Sequence, residues 1–405
     1  MSKWEQTSVG DFIDFNPPES IPKGIIARKI GMDKLGTFQR KINGSELVEY
    51  SAGPKFRNGD TIVAKITPCL ENGKTAYVDI LEDEEVAYGS SEFIVLRKNE
   101  NSDSKFIYYL ARSPWFRERA ISCMEGTSGR KRVNEGALRR QEILAPSTKI
   151  EQQKIAAVLS VLDDKIELNN KINDNLEKQA KLLYDYWFVQ FDFPDGNGKP
   201  YKSSGGKMIW NDVLKREIPE GWEVKSLCEI ANITMGQSPS GESYNENKEG
   251  IIFFQGSTDF GWRFPENRVY TTLPTRFAYE DDILLSVRAP IGTMNLALSN
   301  CCIGRGLAAI NSKDNLGSFL IYQMNYFKKK FDYLNSVGTT FGSLTKDELY
   351  NLELVYPQKN ILQKFEYKVQ SFDKAIKNKT VQNQELTQLR DWLLPMLMNG
   401  QIKVE

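Results

Sequence analysis

The 405-residue chain contains no histidine. That absence excludes Ser-His-Asp and Cys-His catalysis and every histidine-containing metal site. Cysteine is scarce. Cys69, Cys123, Cys228, Cys301 and Cys302 are odd in number and include no C-x-x-C pair, so buried free thiols are expected rather than a disulfide framework. No segment approaches the roughly 20 consecutive apolar residues that span a bilayer. The opening MSKWEQTSVGDF lacks the apolar core of a secretory signal, so a cytoplasmic location is expected. Net charge is missing too, because 53 Lys and Arg balance 53 Asp and Glu. Any nucleic-acid binding must therefore come from local patches or from a partner. No G-x-x-x-x-G-K-[ST] loop is present, which leaves no sign of a nucleotide cradle.

What the chain does have is a copy of itself. WEQTSVGDFIDF from Trp4 aligns with WEVKSLCEIANI from Trp222, and GDTIVAKITP (Gly59 to Pro68) with DDILLSVRAP (Asp281 to Pro290). GTSGRKRVNEGALRRQEILAP from Gly126 likewise matches GTTFGSLTKDELYNLELVYP from Gly338. A period above 200 residues means duplication of a whole domain plus a helix, not a solenoid. Each half carries short β-rich runs (DTIVAKI and SEFIVL; IIFFQG and DILLSV) and one helical run (SKFIYYLARSPWFRERA; LGSFLIYQMNYFKKKFDYL). The expected fold class is α+β, with two mixed α/β globules. Residues 191–216, rich in Gly, Pro, Ser and Lys, read as a linker.

A long helical pattern comes after each globule. In the first, Ile155, Leu159, Leu162, Ile166, Asn169, Asn173, Leu176, Ala180, Leu183 and Trp187 step by four and three residues, which is an a/d seam. In the second, Phe365, Val369, Phe372, Ile376, Lys379, Asn383, Leu386, Arg390, Leu393 and Leu397 do the same. Arg390 interrupts this seam, and neighbouring Leu389 could fill its layer. Both seams turn polar at mid-length, and an antiparallel pair would bring Asn169 to Asn383 and Asn173 to Lys379. The predicted architecture is a pseudo-two-fold dumbbell of two globules joined by two long antiparallel coiled-coil helices. The first rod would be roughly 48 Å long, the scale of one turn of duplex at about 34 Å. A coiled coil that merely dimerises or scaffolds the chain stays open at this point.

In the order and duplication of these segments, the sequence resembles the specificity subunits of type I restriction-modification systems. The resemblance rests on WEVKSLCEIANITMGQSPSGESYN, DILLSVRAPIG, GTTFGSLTKDEL and the helix IEQQKIAAVLSVLDDKIELNNKINDNLEKQAKLLYDYWFVQF, and it covers nearly the whole chain. It implies target recognition domains at 1–148 and 217–357, with long helices at 149–190 and 358–405. Each domain would read half of a bipartite, asymmetric site in double-stranded DNA, with the helices setting the spacer. The resemblance further implies two modification (methyltransferase) subunits and restriction (endonuclease/translocase) subunits as partners. S-adenosylmethionine, ATP and Mg would reside in those partners, with no cofactor bound by this chain.

Catalysis has one candidate. Asn16-Pro17-Pro18 begins like the Asn-Pro-Pro-aromatic signature of adenine methyltransferases, in which the aromatic stacks on a flipped base. Here Glu19 stands fourth and cannot stack, and no Gly-rich cofactor loop precedes the motif. A self-sufficient methyltransferase is the alternative enzyme reading; a turn is the structural one. The acid pairs Asp163-Asp164 and Asp281-Asp282 could in principle bind metal but read as solvated surface.

The candidate DNA contacts are local. Arg130, Lys131, Arg132, Arg139 and Arg140 face one acid, Glu135, a net +4 loop suited to phosphates. Thr339, Thr340 and Ser343 are the matching hydroxyl-rich positions of the second half. Base reading calls for Arg, Lys, Asn, Gln or Ser on groove-entering loops. The candidates are Lys65, Asn72 and Lys74 in the first half, and Gln255, Ser257, Arg263, Arg288 and Arg305 in the second. The aromatics Tyr184, Tyr186, Trp187, Phe188 and Phe191 exceed what a two-helix seam can bury. Tyr184, Trp187 and Phe188 are therefore expected to meet a partner subunit.

Overall fold

The computed structural model describes residues 4–127, 129–336 and 343–404. The chain separates into two compact units, Met1–Lys171 with Thr380–Glu405, and Ile172–Lys379. Each unit holds one globule and a share of both long helices.

In the first unit an antiparallel sheet runs in the order Ile13–Phe15, Phe93–Lys98, Thr61–Ala64, Thr75–Tyr77. Thr61–Ala64 is buried at every position, as a continuous apolar run between two neighbours should be. A second sheet runs Glu46–Glu49, Ile26–Ile30, Ala87–Gly89, Lys55–Phe56, its two middle strands parallel. The second unit repeats both. Ala231–Met235, Leu307–Ser312, Ile283–Ser286 and Met294–Leu296 form the antiparallel sheet. Tyr244–Asn245, Tyr270–Thr271, Ile251–Phe254, Cys301–Ile303 and Phe277–Ala278 form the mixed one, again around a parallel pair. The duplication thus extends to strand order, and the fold class is α+β as expected.

The helical run of the first half is two helices, Ser104–Arg112 and Pro114–Ser122. Ser113 accepts the Phe116 amide at 3.3 Å, and Pro114 occupies the first helical position, where its missing N–H costs nothing. The second half has no such break, and Gly317–Ser336 is continuous.

The long helices are Lys149–Tyr184, continued by a wider turn Asp185–Val189, and Lys359–Met398. Within each unit their segments run antiparallel. In the first unit Ile155 and Leu159 share a core with Leu394, Leu397 and Met398, while Asn169 reaches Asn383. In the second, Tyr184 and Phe188 pack on Phe365. The polar pairing that the heptads predict between Asn169 and Asn383 forms. Asn169 Nδ2 donates to Asn383 Oδ1 at 2.8 Å, and Asn383 Nδ2 donates to Asn170 Oδ1 at 2.8 Å.

Arg390 corrects the seam. It keeps its core layer, buried, with Nη1 2.7 Å from Asp163 Oδ1, while Leu389 is 43% exposed. Asp163 is itself buried and also accepts the Tyr109 hydroxyl at 2.7 Å. Its reading as solvated surface therefore fails, because the opposing helix supplies a counter-charge. The stretch 191–216 is folded rather than loose. Phe193 stacks between Tyr201 and Trp222 at centroid distances of 4.7 and 4.8 Å, and Met208–Asn211 pairs with Arg216–Pro219. All five cysteines are free; Cys123, Cys301 and Cys302 are buried, whereas Cys69 and Cys228 are partly exposed. No described helix is long and apolar enough to cross a membrane.

Candidate nucleic-acid interface

Past the end of the inner strands Thr61–Ala64 and Ile283–Ser286 the chain runs on to a proline, Pro68 or Pro290, and a distant loop returns to that stretch. In the first unit the loop before Val133 closes on Lys65–Thr67. Thr67 N donates to Lys131 O at 3.0 Å, Lys131 N donates to Thr67 Oγ1 at 3.1 Å, and Val133 N donates to Lys65 O at 2.9 Å. In the second unit Leu344 N donates to Val287 O at 2.7 Å, and Ser343 bridges Arg288. Ile66 bridges Arg132 in the same way, so Arg132 and Ser343 occupy matching places. Each crossing loop then enters a short helix capped by Asn134 or Thr345.

Side chains at the two sites differ. Arg130 and Lys131 are exposed. Arg132 forks onto Glu92, with Nε–Oε2 at 2.9 Å and Nη2–Oε1 at 2.8 Å. That bond holds the Glu92 carboxyl below its usual range. Arg139 lies over the Phe15 ring at 4.9 Å, so part of the loop's counted charge is already committed. Lys65 is half-buried, 3.5 Å from Glu135; Asn72 is exposed; Lys74 donates to Met32 O at 2.9 Å.

In the second unit Gln255, Ser257, Arg288 and Arg305 line one cavity of about 440 Å³, completed by Ser286 and Pro290. Sequence reasoning named these four separately, and the fold brings them together. Ser238, which it missed, organises the rim by accepting Gln255 Nε2 at 3.0 Å and the Arg305 amide at 3.2 Å. Gly306 permits the close crossing, since a Cβ there would stand 2.7 Å from Gln255 O. Ser343 is exposed at the end of the returning loop; Thr339 and Thr340 lie outside the described residues.

Two expectations are corrected. Arg263 does not face this cavity. It is 7% exposed, with its guanidinium between Glu177 and Asp373 and Nη1 3.3 Å from the Tyr322 hydroxyl. Two buried-side carboxylates hold it more strongly than a base edge could. Tyr184, Trp187 and Phe188 are likewise no surface, being 3%, 4% and 5% exposed. Phe188 packs on Phe365 at 5.0 Å, Phe319 at 5.2 Å and Trp222 at 6.1 Å. The globule supplies the burial that two helices alone could not, leaving Tyr186 as the aromatic that is exposed.

The catalytic-looking tripeptide is structural in its contacts. Asn16 sits at φ 47°, a left-handed position that Asn tolerates. Its Oδ1 accepts Val95 N at 2.9 Å and its Nδ2 donates to Glu135 at 2.6 Å. Glu19, in the place of the stacking aromatic, has a buried side chain paired with Arg97 and Arg57. Burial opposes its ionisation, but those arginines prevail and lower its pKa.

A family model described as type I restriction modification DNA specificity domain matches residues 1–178 and 219–388, one match per repeat. The chain belongs to this specificity-subunit family. A putative type I restriction enzyme MjaX specificity subunit of Methanocaldococcus jannaschii is 30% identical over 384 residues, covering 93% of this chain and 85% of that protein. The HindI specificity subunit of Haemophilus influenzae is 26% identical, covering 99% and 100%. In fold, the chain is similar to the type I restriction-modification S subunit from M. genitalium, at 18% identity and a TM-score of 0.60 over 98% and 96% of the two chains.

Proposed function

We propose that this chain is the non-catalytic DNA-reading subunit of a type I restriction-modification complex, each unit reading one half of a split site. The observation that carries the reading is the duplicated return loop, which sets basic or hydroxyl side chains beside the end of the central strand in both units. Arg130 and Lys131 would contact phosphates, giving affinity without sequence information. Arg288, Arg305 and Gln255 have the donor chemistry for guanine and adenine edges. Asn72 and Lys65 are the base-reading candidates of the first unit.

The helices would set the spacer and dock the modification subunits. S-adenosylmethionine, ATP and Mg would be supplied by those and the restriction subunits. The commitment of Asn16 and Glu19 to local partners weighs against a self-sufficient methyltransferase. Co-expression with the cognate modification subunit, then genome-wide mapping of methylated adenines, tests the reading. The expected result is two short half-sites around a fixed gap; a continuous motif, or none, overturns it.

A further inference from the structure

We propose that Arg40 and Arg263 are one duplicated positioning residue that fixes the angle of each recognition globule on its helices, and thereby the gap length the complex accepts. The proposal rests on the bipartite reading above. The two arginines are equivalent by backbone, although no alignment links their loops. Tyr77 N donates to Arg40 O at 3.1 Å, and Leu296 N donates to Arg263 O at 2.8 Å. Tyr77 pairs with Thr61 and Leu296 with Ile283, which are matched positions of the two central strands.

Both side chains are buried, at 8% and 7% exposure, and both end on carboxylates of the long helices. Arg40 Nε donates to Glu167 Oε1 at 2.8 Å, and its Nη2 donates to Asp164. Arg263 bonds Glu177 and Asp373, each on a different helix. A planar fork held by two carboxylates resists rotation as well as separation. Such pairs add little net stability, whether the carboxylate is exposed, as Asp164 is, or partly buried, so stability alone does not account for having one in both copies. Asn295 supports the second fork, its side chain exchanging two 3.0 Å hydrogen bonds with Gly261 backbone two residues before Arg263.

The helix partners are not interchangeable. Glu167 and Lys377 stand 210 positions apart at equivalent helix sites with opposite charge. Glu167 receives Arg40, whereas Lys377 Nζ lies 2.6 Å from Glu280 and from Asp281 of its own globule. Each globule is thus keyed to its own helix segment.

The test uses the full chain with its cognate modification subunit and maps methylated adenines for wild type, Arg40→Gln, and the helix-only variant Asp164→Asn with Glu167→Gln. Half-site bases should stay the same, while methylation at gaps one base longer or shorter rises at least tenfold. Strict gaps in either assembled variant overturn the proposal. Should Arg40→Gln fail to accumulate, the helix-only variant, which keeps every globule residue, decides. Arg40→Glu with Glu167→Arg and Asp164→Arg should restore strictness, which a merely structural loss would not do. A wild type without a split motif would defeat the functional reading instead, so the two failures are distinguishable.

Discussion

Truncating Phe188 separates a core role from a docking role. Its ring is 5% exposed and lies against Tyr184 and Phe319 at 5.2 Å, Phe365 at 5.0 Å and Trp222 at 6.1 Å. Such a ring buries about 150–250 Å² of surface, which at about 25 cal/mol per Å² is roughly 4–6 kcal/mol. Measured Phe→Ala losses in cores, about 3–5 kcal/mol including the cavity, agree. Against a typical total of about 5–15 kcal/mol this is a large fraction. A unit of this size should lose roughly 2–4 °C per kcal/mol, so the expected shift is about 6–20 °C. The assay is thermal unfolding of the purified chain, with hydrogen exchange read in Gly317–Ser336, the helix that carries Phe319. Below its lowered transition, Phe188→Ala should still assemble with the modification subunit. A stability loss under about 1 kcal/mol together with failed assembly would refute the reasoning and reinstate Phe188 as a surface anchor.

The same geometry sets three other outcomes. Arg288→Ala and Arg305→Ala should each relax base preference in one half-site only, by about 1–3 kcal/mol of discrimination, read by methylation mapping or competition binding. Arg130→Ser with Lys131→Ser should weaken binding to all duplexes alike and reduce the log–log salt slope by about 0.9 for each phosphate no longer neutralised, measured by titration of the assembled complex. In the second unit, burial and the neighbouring Asp373 raise the Glu177 pKa despite Arg263, and burial raises that of Glu366. As pH rises from the ordinary carboxyl range through those raised values, the unfolded chain releases protons that the folded one retains, so stability falls. Glu177→Gln should flatten that fall in a melting-temperature series across mildly acidic pH, and an unchanged slope counts against it.

Periodicity is local, and what it governs was readable. The heptad spacing placed Asn169 opposite Asn383, and the apolar runs marked the two central strands. The Ser113-Pro114 break was also written in the chain as a cap and a helix-starting proline, but the surrounding apolar pattern masked it. What stayed illegible depends on partners remote in sequence. Arg390 looked like a spoiled layer because its counter-charge, Asp163, is 227 positions away. The aromatic cluster looked like a surface because two helices were counted and the globule's Phe319 and Trp222 were not. Arg40 and Arg263 could not be matched, since they are equivalent through the edge-strand amides they accept rather than through flanking residues. Of the second-half base-reading candidates, four share a cavity and Arg263 does not, a sorting that residue type alone cannot make.

The duplication also places unlike groups at one matched position of the two units. Lys65 N donates to Glu92 O at 2.8 Å, and Val287 N donates to Gly306 O at 2.9 Å, so Glu92 and Gly306 are the same position in the two copies. In the first unit that position carries a carboxylate, which captures Arg132 and presents an acceptor beside the basic loop. In the second it carries no side chain, and Gly306 lines the cavity that Arg288 and Arg305 also line. A carboxylate suits a base amino group such as that of cytosine, whereas arginines suit the acceptor edge of guanine. The difference in charge at the crossing comes from Glu92 against Gly306 together with Arg288, which stands where the first unit has Ile66. The hydrogen-bonded backbone that holds the crossing in place stays the same in both units.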